Sequence, residues 1–223
     1  MIMTSVAGNI KVLVDQIPTN IKIIAVSKFK PAEMLLEAYN LGLKRFGENY
    51  VQELVDKHQE LPKDIEWHFI GHLQSNKVKY IAPFVHMIHS VDSFKLLVEI
   101  NKQAKKNERI IDCLIQIYIA EEDSKSGIEE TEFFEMLNNG SINDLTNIRI
   151  CGLMGMSTFT ENLEQIRKEF KLLKTISDKA RSFEHKNIEL KEISMGMSGD
   201  WQIAVEEGST MIRIGSAIFG NRN

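Results

Sequence analysis

Lys28 stands directly behind an apolar, β-rich run, KIIAVS at residues 22–27. A lysine drawn to the mouth of an α/β fold loses solvation and meets other cations, and both lower its pKa. Its neutral amine can then condense with a carbonyl to form an imine. Taken alone, Lys28 reads more simply as an ordinary surface lysine at a strand end. Two glycine–serine segments shift that balance. One carries Ser194, Gly196, Ser198 and Gly199; the other carries Gly215 and Ser216. Glycine lets the backbone approach an anion, and N–H groups at a helix start donate to it, so the pair suits a phosphate group. Each segment taken singly also reads as a capped turn.

Other chemistries find less support. The segment at 194–200 is not a nucleophile elbow, which needs a glycine two residues after the serine. No Walker-type phosphate loop and no dinucleotide-binding glycine triplet occurs. His68, His72, His86 and His89 invite a metal reading, but no cysteine or acidic cluster with ligand spacing accompanies them, and no metal site is expected. Met154, Met156, Met195 and Met197 read as filling near a ligand mouth. Cys113 and Cys151 lie in apolar runs and are expected to be buried and reduced.

These residues need elements to position them. Short β-rich runs fall at 22–26, 44–47, 66–70, 86–91, 110–119, 148–154, 189–193 and 210–214. Helical patterns separate them. The longest, at 161–183, places Leu163, Ile166, Phe170, Leu173, Ile176 and Ala180 on one face. Strands joined by crossover helices imply a parallel sheet, and eight such units close into a (β/α)8 barrel of the TIM type. An open doubly wound sheet is the alternative. The eighth strand is followed only by a short tail. No Pro/Gly/Ser-rich linker divides the chain, so residues 1–223 read as a single domain. Barrel function sits at the C-terminal strand ends, where Lys28, Asn49, residues 124–127 (SKSG), Met156 and both glycine–serine segments fall.

Composition sets the class. The 223 residues are 43% hydrophobic and 26% charged with a net charge of −4, the balance of a globular protein. The densest basic stretch, residues 102–109, reads as a solvated helix end rather than a nucleic-acid stripe. No secretory signal and no apolar run of membrane length is visible. A cytoplasmic protein without nucleic-acid or membrane partners is expected.

The residues taken together resemble a known family. The stretches 25–28 (AVSK), 46–53 (FGENYVQE), 67–77 (WHFIGHLQSNK), 89–92 (HSVD), 124–127 (SKSG), 152–154 (GLM), 194–198 (SMGMS) and 213–220 (RIGSAIFG) are similar, in order, to the pyridoxal phosphate homeostasis proteins, the YggS/PROSC-like family. That resemblance implies the pyridoxal phosphate fold-type III barrel of the alanine racemase N-terminal domain. It implies pyridoxal 5′-phosphate held as a Schiff base on Lys28. Ser198, Gly215 and Ser216 would hold the phosphate and Arg213 would face the pyridine nitrogen. Asn49 and Met156 would line the ring, with Ser194 and His68 as weaker candidates. The implied role is buffering or delivery of the cofactor, with pyridoxal-phosphate-dependent apoenzymes as recipients.

Catalysis is the alternative. An arginine beside the pyridine nitrogen opposes its protonation and makes the ring a poorer electron sink. That leaves an amino-acid racemase of low activity as the second reading. A racemase needs proton donors on both faces of the substrate carbon. Lys28 could serve one face; Tyr50 and His68 carry no decisive signal for the other. The residues 1–223 also lack the separate β-domain of full-length alanine racemases. No catalytic residue is therefore assigned. A barrel that binds another phosphorylated metabolite without an imine is the third reading. A monomer is expected.

Overall fold

The computed structural model describes residues 5–121, 127–183 and 185–220. Eight strands, β1 Lys22–Val26, β2 Arg45–Glu48, β3 Glu66–Phe69, β4 Met87–Val91, β5 Ile111–Gln116, β6 Ile148–Met154, β7 Ile188–Ser194 and β8 Met211–Ile214, pair in sequence order. All ladders are parallel, and β8 returns to β1 with Ile24 opposite Arg213, so the sheet closes into a barrel. The open doubly wound alternative is excluded. Strands of a closed parallel barrel have no free edge and are covered on both faces, which suits apolar runs such as β1 (KIIAV) and β6 (IRICGLM).

The outer layer contains α2 Ala32–Asn40, α3 Val51–Glu60, α4 Val78–Ile81, α5 Phe94–Lys106, α6 Glu130–Asn138, α7 Leu163–Ala180 and α8 Trp201–Glu206. Caps set several of these ends. Ser93 Oγ accepts from Leu96 N at the start of α5, and Asn162 Oδ1 accepts from Gln165 N at the start of α7. Two further helices correct the expectation of a bare eighth unit. Helix α9, Ser216–Phe219, follows β8, and α1, Val6–Gln16, packs against both α9 and α2. Val6, Ile10 and Leu13 form its buried face, and Asn9 Nδ2 donates to Ile218 O at 2.9 Å. The chain's first helix thus supplies the outer cover that a short α9 cannot. Strand β5 stops at Gln116 rather than 119, because the returning chain pairs there: Tyr118 N donates to Ile128 O and Ile128 N to Gln116 O, both at 2.9 Å.

Gly152 marks a register shift in β6. A Cβ at this position would lie 1.8 Å from Glu192 O, and the residue's φ is +156°. Gly152→Ala is expected to cost about 2–3 kcal/mol through backbone displacement, read as a lower urea midpoint; an unchanged midpoint would show that β6 and β7 separate freely here.

Candidate functional site

Side chains of a strand alternate between faces, so residues two apart share one. On β1, Ile24 packs in the barrel interior, and the same phase carries Val26 and Lys28 to a cavity beyond the strand's C-terminal end. On β8 the phase runs from Met211 in the interior to Arg213 and Gly215 at the cavity. On β6 it runs from Met154 to Met156, and after β2 it delivers Asn49. The cavity measures about 510 Å³ and is also lined by Ser157, Phe159, Met197, Ser198, Gly199, Asp200 and Ser216. Lys28, Asn49, Met156, Ser198, Arg213, Gly215 and Ser216 are therefore brought together.

Two sequence candidates are not. Ser194 is fully buried beneath the cavity floor, where its carbonyl and hydroxyl accept from Arg213 Nη1 at 2.7 and 2.8 Å. His68 stands one inward layer below Ile70, which itself lines the cavity, so its ring does not reach the mouth. Tyr50 is half exposed outside the cavity against Phe29, with ring centroids 5.1 Å apart. Residues 124–126 lie outside the described residues.

The ends of the cavity have different chemistry. Near β8, Gly215 N and Ala217 N point at Ser198 Oγ across long distances of 3.4 and 3.5 Å, so backbone donors after β8 and a hydroxyl after β7 converge on one spot. Asp200 ties two walls together: Oδ1 accepts from Met197 N at 2.5 Å and Oδ2 from Ser157 Oγ at 2.8 Å. Arg213 is buried, and its third bond runs from Nη2 to Gly155 O at 3.0 Å. Burial lowers its pKa to about 10, with Asp200 opposing, so it stays charged at neutral pH.

Behind Lys28 lies a buried charge cluster that no motif or spacing singles out. Ser27 Oγ donates to Glu48 Oε1 at 2.6 Å. Lys57 Nζ donates to Glu48 Oε1, Glu53 Oε1 and Ser27 O, each at 2.7 Å. Phe29 N donates to Glu53 Oε1 at 2.6 Å, and Phe29 holds a left-handed φ of +63°. Both neighbours of Lys28 are thus pinned. Burial raises the Glu48 carboxyl, and the Lys57 ammonium opposes that rise.

A second polar line descends from Arg213 through the barrel. His89 Nδ1 lies 3.0 Å from Ser194 Oγ, and His89 Nε2 lies 2.8 Å from His68 Nδ1. Burial holds both rings well below the usual histidine pKa, with nearby cationic and histidine groups adding to the effect, so both are neutral. The line ends at a second cavity of about 330 Å³ at the N-terminal end of the barrel. Four ion pairs ring that end: Lys22–Glu192, Arg45–Glu66, Arg149–Asp112 and Lys191–Glu189. Cys113 and Cys151 are buried free thiols, and burial pushes Cys151 up to about 12.

Comparison with known proteins identifies the family and the fold. The family model for the alanine racemase N-terminal domain matches residues 3–223. A pyridoxal phosphate homeostasis protein of Aquifex aeolicus is 42% identical over 202 residues, covering 90% of this chain and 87% of that protein. One from Escherichia coli K12 is 39% identical over 210 residues, covering 92% and 88%. Among solved structures, PipY of Synechococcus elongatus with pyridoxal phosphate bound superposes with a TM-score of 0.87 at 33% identity, covering 96% of this chain and all of that one. Clostridium difficile alanine racemase shares the fold at 16% identity and a TM-score of 0.76, this chain spanning 56% of its length. The chain belongs to the pyridoxal phosphate homeostasis protein family, built on the alanine racemase N-terminal-domain barrel.

Proposed function

We propose that this protein binds pyridoxal 5′-phosphate covalently at Lys28 and serves as a non-catalytic holder that buffers the cofactor or passes it to apoenzymes. The observation that carries this reading is the convergence of Lys28, Arg213 and the Ser198–Gly215–Ser216 segment on one cavity, in a chain whose relative PipY was solved with pyridoxal phosphate. The cavity suits the group. Its volume falls within the range of small-molecule sites. Asn49 Oδ1 is buried without a hydrogen-bond partner, and the Cβ position of Gly199 meets open space.

The chemistry such a group would supply is an aldehyde, and Lys28 would offer the amine that receives it. The chain's own contributions are then distinct. Ser198 Oγ and the backbone N–H groups of Gly215 and Ser216 would hold the phosphate. Asn49 and Met156 would line the ring. Arg213, fixed by Ser194 and Gly155, would present its positive charge to the ring nitrogen and would oppose its protonation. Among the described residues lining the cavity, the ionisable ones are Lys28, Asp200 and Arg213. Asp200 is engaged by Met197 and Ser157, so among the described residues no second proton carrier opposes Lys28. This supports a carrier over a racemase. Phe159 is 96% exposed at the rim, which leaves an apolar lip from which a recipient could take the cofactor. A cytoplasmic monomer without nucleic-acid or membrane partners fits this role; no helix among the described residues is long and apolar enough to cross a membrane.

The purified protein mixed with pyridoxal phosphate is expected to turn yellow, to bleach with borohydride and to carry the reduced adduct on the peptide containing Lys28. Lys28→Ala should remove the band and the adduct together. A colourless mixture, or an adduct that persists in Lys28→Ala, overturns the assignment. Racemisation of an amino acid at useful turnover would replace the carrier reading with the enzymatic one.

A further inference from the structure

We infer that the N-terminal end of the barrel, opposite Lys28, holds a divalent transition-metal site made by Glu66, His68 and His86. Strand alternation places Glu66 and His68, two residues apart on β3, on one face. The neighbouring strand adds the third group: His68 pairs in register with Met87, and His86 N donates to Trp67 O at 2.8 Å. One ligand atom from each of the three side chains lies within 4.8 Å of the others. The rings of His68 and His86 have centroids 5.3 Å apart. The sequence hides this trio because its members come from β3 and from the residue that precedes β4, and the acid precedes the first histidine by a strand period.

His68 carries the case for a ligand. It is 1% exposed, and its Nε2 has no hydrogen-bond partner although it is buried. A buried ring nitrogen without a partner is costly and asks for an explanation, and a bound ion is one such explanation. The other ring nitrogen is already occupied, since Nδ1 meets His89 Nε2 at 2.8 Å. With the shared proton on His68 Nδ1, Nε2 presents a bare lone pair, and His89 orients the ring as outer-shell partners of metal-bound histidines do.

The donor set selects the ion. Two imidazoles and one carboxylate with open positions suit zinc(II), cobalt(II) or nickel(II), not the all-oxygen cages of magnesium or calcium. Metal–ligand bonds of about 2.0–2.2 Å need the three donor atoms somewhat closer than they stand. His86 is exposed and can swing to close the gap. Arg45 engages Glu66 through Oε2 at 2.9 Å, which leaves Oε1 outside that pair. Cys151 lines the same cavity, but its thiol is directed to Arg149 O at 3.6 Å and is not needed as a ligand.

The test uses untagged, chelator-stripped protein titrated with cobalt(II), whose visible bands report its coordination, and then with zinc(II) in competition. One equivalent of cobalt should bind with bands of nitrogen–oxygen coordination, and zinc should displace it. His86→Ala and Glu66→Gln, both at accessible positions, should each weaken binding by at least the roughly 10–100-fold that loss of an outer-shell partner costs. His72→Ala, at a histidine on another part of the surface, should bind as the parent does. Thermal melts in the presence of chelator show whether each variant is folded. Absence of a saturable equivalent, binding that survives both ligand substitutions in folded protein, or equal loss in His72→Ala overturns the site. The measurement is made without pyridoxal phosphate, so its outcome is independent of the Lys28 assignment.

Discussion

Lys57→Met is expected to lower the stability of the chain by about 3–5 kcal/mol, the range for a buried ion pair that loses one partner. Lys57 is the buried cation that joins two carboxylates and a carbonyl: Glu48, Glu53 and Ser27 O all accept from its Nζ. Its side chain is 8% exposed and that of Glu48 is 0% exposed. Methionine keeps the helix-forming length of lysine in α3, so the change isolates the charge. Glu48 Oε2 already lacks a hydrogen-bond partner. Without the ammonium, the buried Glu48 carboxylate would keep the Ser27 hydroxyl but lose the Lys57 charge, the largest offset to its desolvation. Adding Glu48→Gln to Lys57→Met should recover most of the loss, because both charges are then gone. Urea unfolding of the single and double variants measures this. The functional consequence follows from the same bonds. Ser27 and Phe29 flank Lys28, and both are tied into the cluster. The single variant should therefore attach pyridoxal phosphate more slowly than the double variant does. A loss under about 1 kcal/mol in Lys57→Met, as for an exposed pair, would show that solvent reaches the cluster.

The part of this architecture readable from sequence is the part governed by period and burial. Strands such as β1 and β6, covered on both faces, declare themselves as apolar runs, and Lys28 lies in phase with Ile24 and Val26. That phase is enough to send it to the mouth. The glycine–serine segments were legible because their strand ends are fixed by the same count. Helix α1 was not, although Val6, Ile10 and Leu13 have helical spacing, because its partners α9 and α2 come together only when β8 closes on β1. The family resemblance offers His68 as a weaker ring-lining candidate, and a single strand's sequence does not say which layer of the interior a residue occupies. Glu48 and Lys57 sit on a strand and the following helix, where a lysine reads as solvated surface. Only the packing of α3 against β2 shows that it is buried. The metal trio is hidden for a related reason, since register between β3 and β4 assembles it.

His89→Leu is expected to cost about 2–4 kcal/mol, since it strips one partner each from two buried groups, His68 Nδ1 and Ser194 Oγ. Leucine fills nearly the same volume, so the loss reports bonding more than packing. The effect should reach the cofactor pocket by a short route. Ser194 Oγ is shared between His89 at 3.0 Å and Arg213 Nη1 at 2.8 Å. Removing the imidazole frees the Ser194 hydroxyl to turn, and the guanidinium loses part of the seat that aims it at the pocket. Arg213 still has Ser194 O and Gly155 O, so binding of pyridoxal phosphate should persist. What should move is the pH at which the absorption band of the bound cofactor interconverts, because that pH depends on where the Arg213 charge lies. His89→Gln, whose amide can still reach one neighbour, should recover part of the stability and bring the pH profile back toward the parent. A purely structural role predicts a different outcome: both variants lose stability while the bound cofactor titrates as in the parent. That result would confine His89 to the packing of the barrel, and would leave the Ser194 and Gly155 carbonyls as the groups that position Arg213.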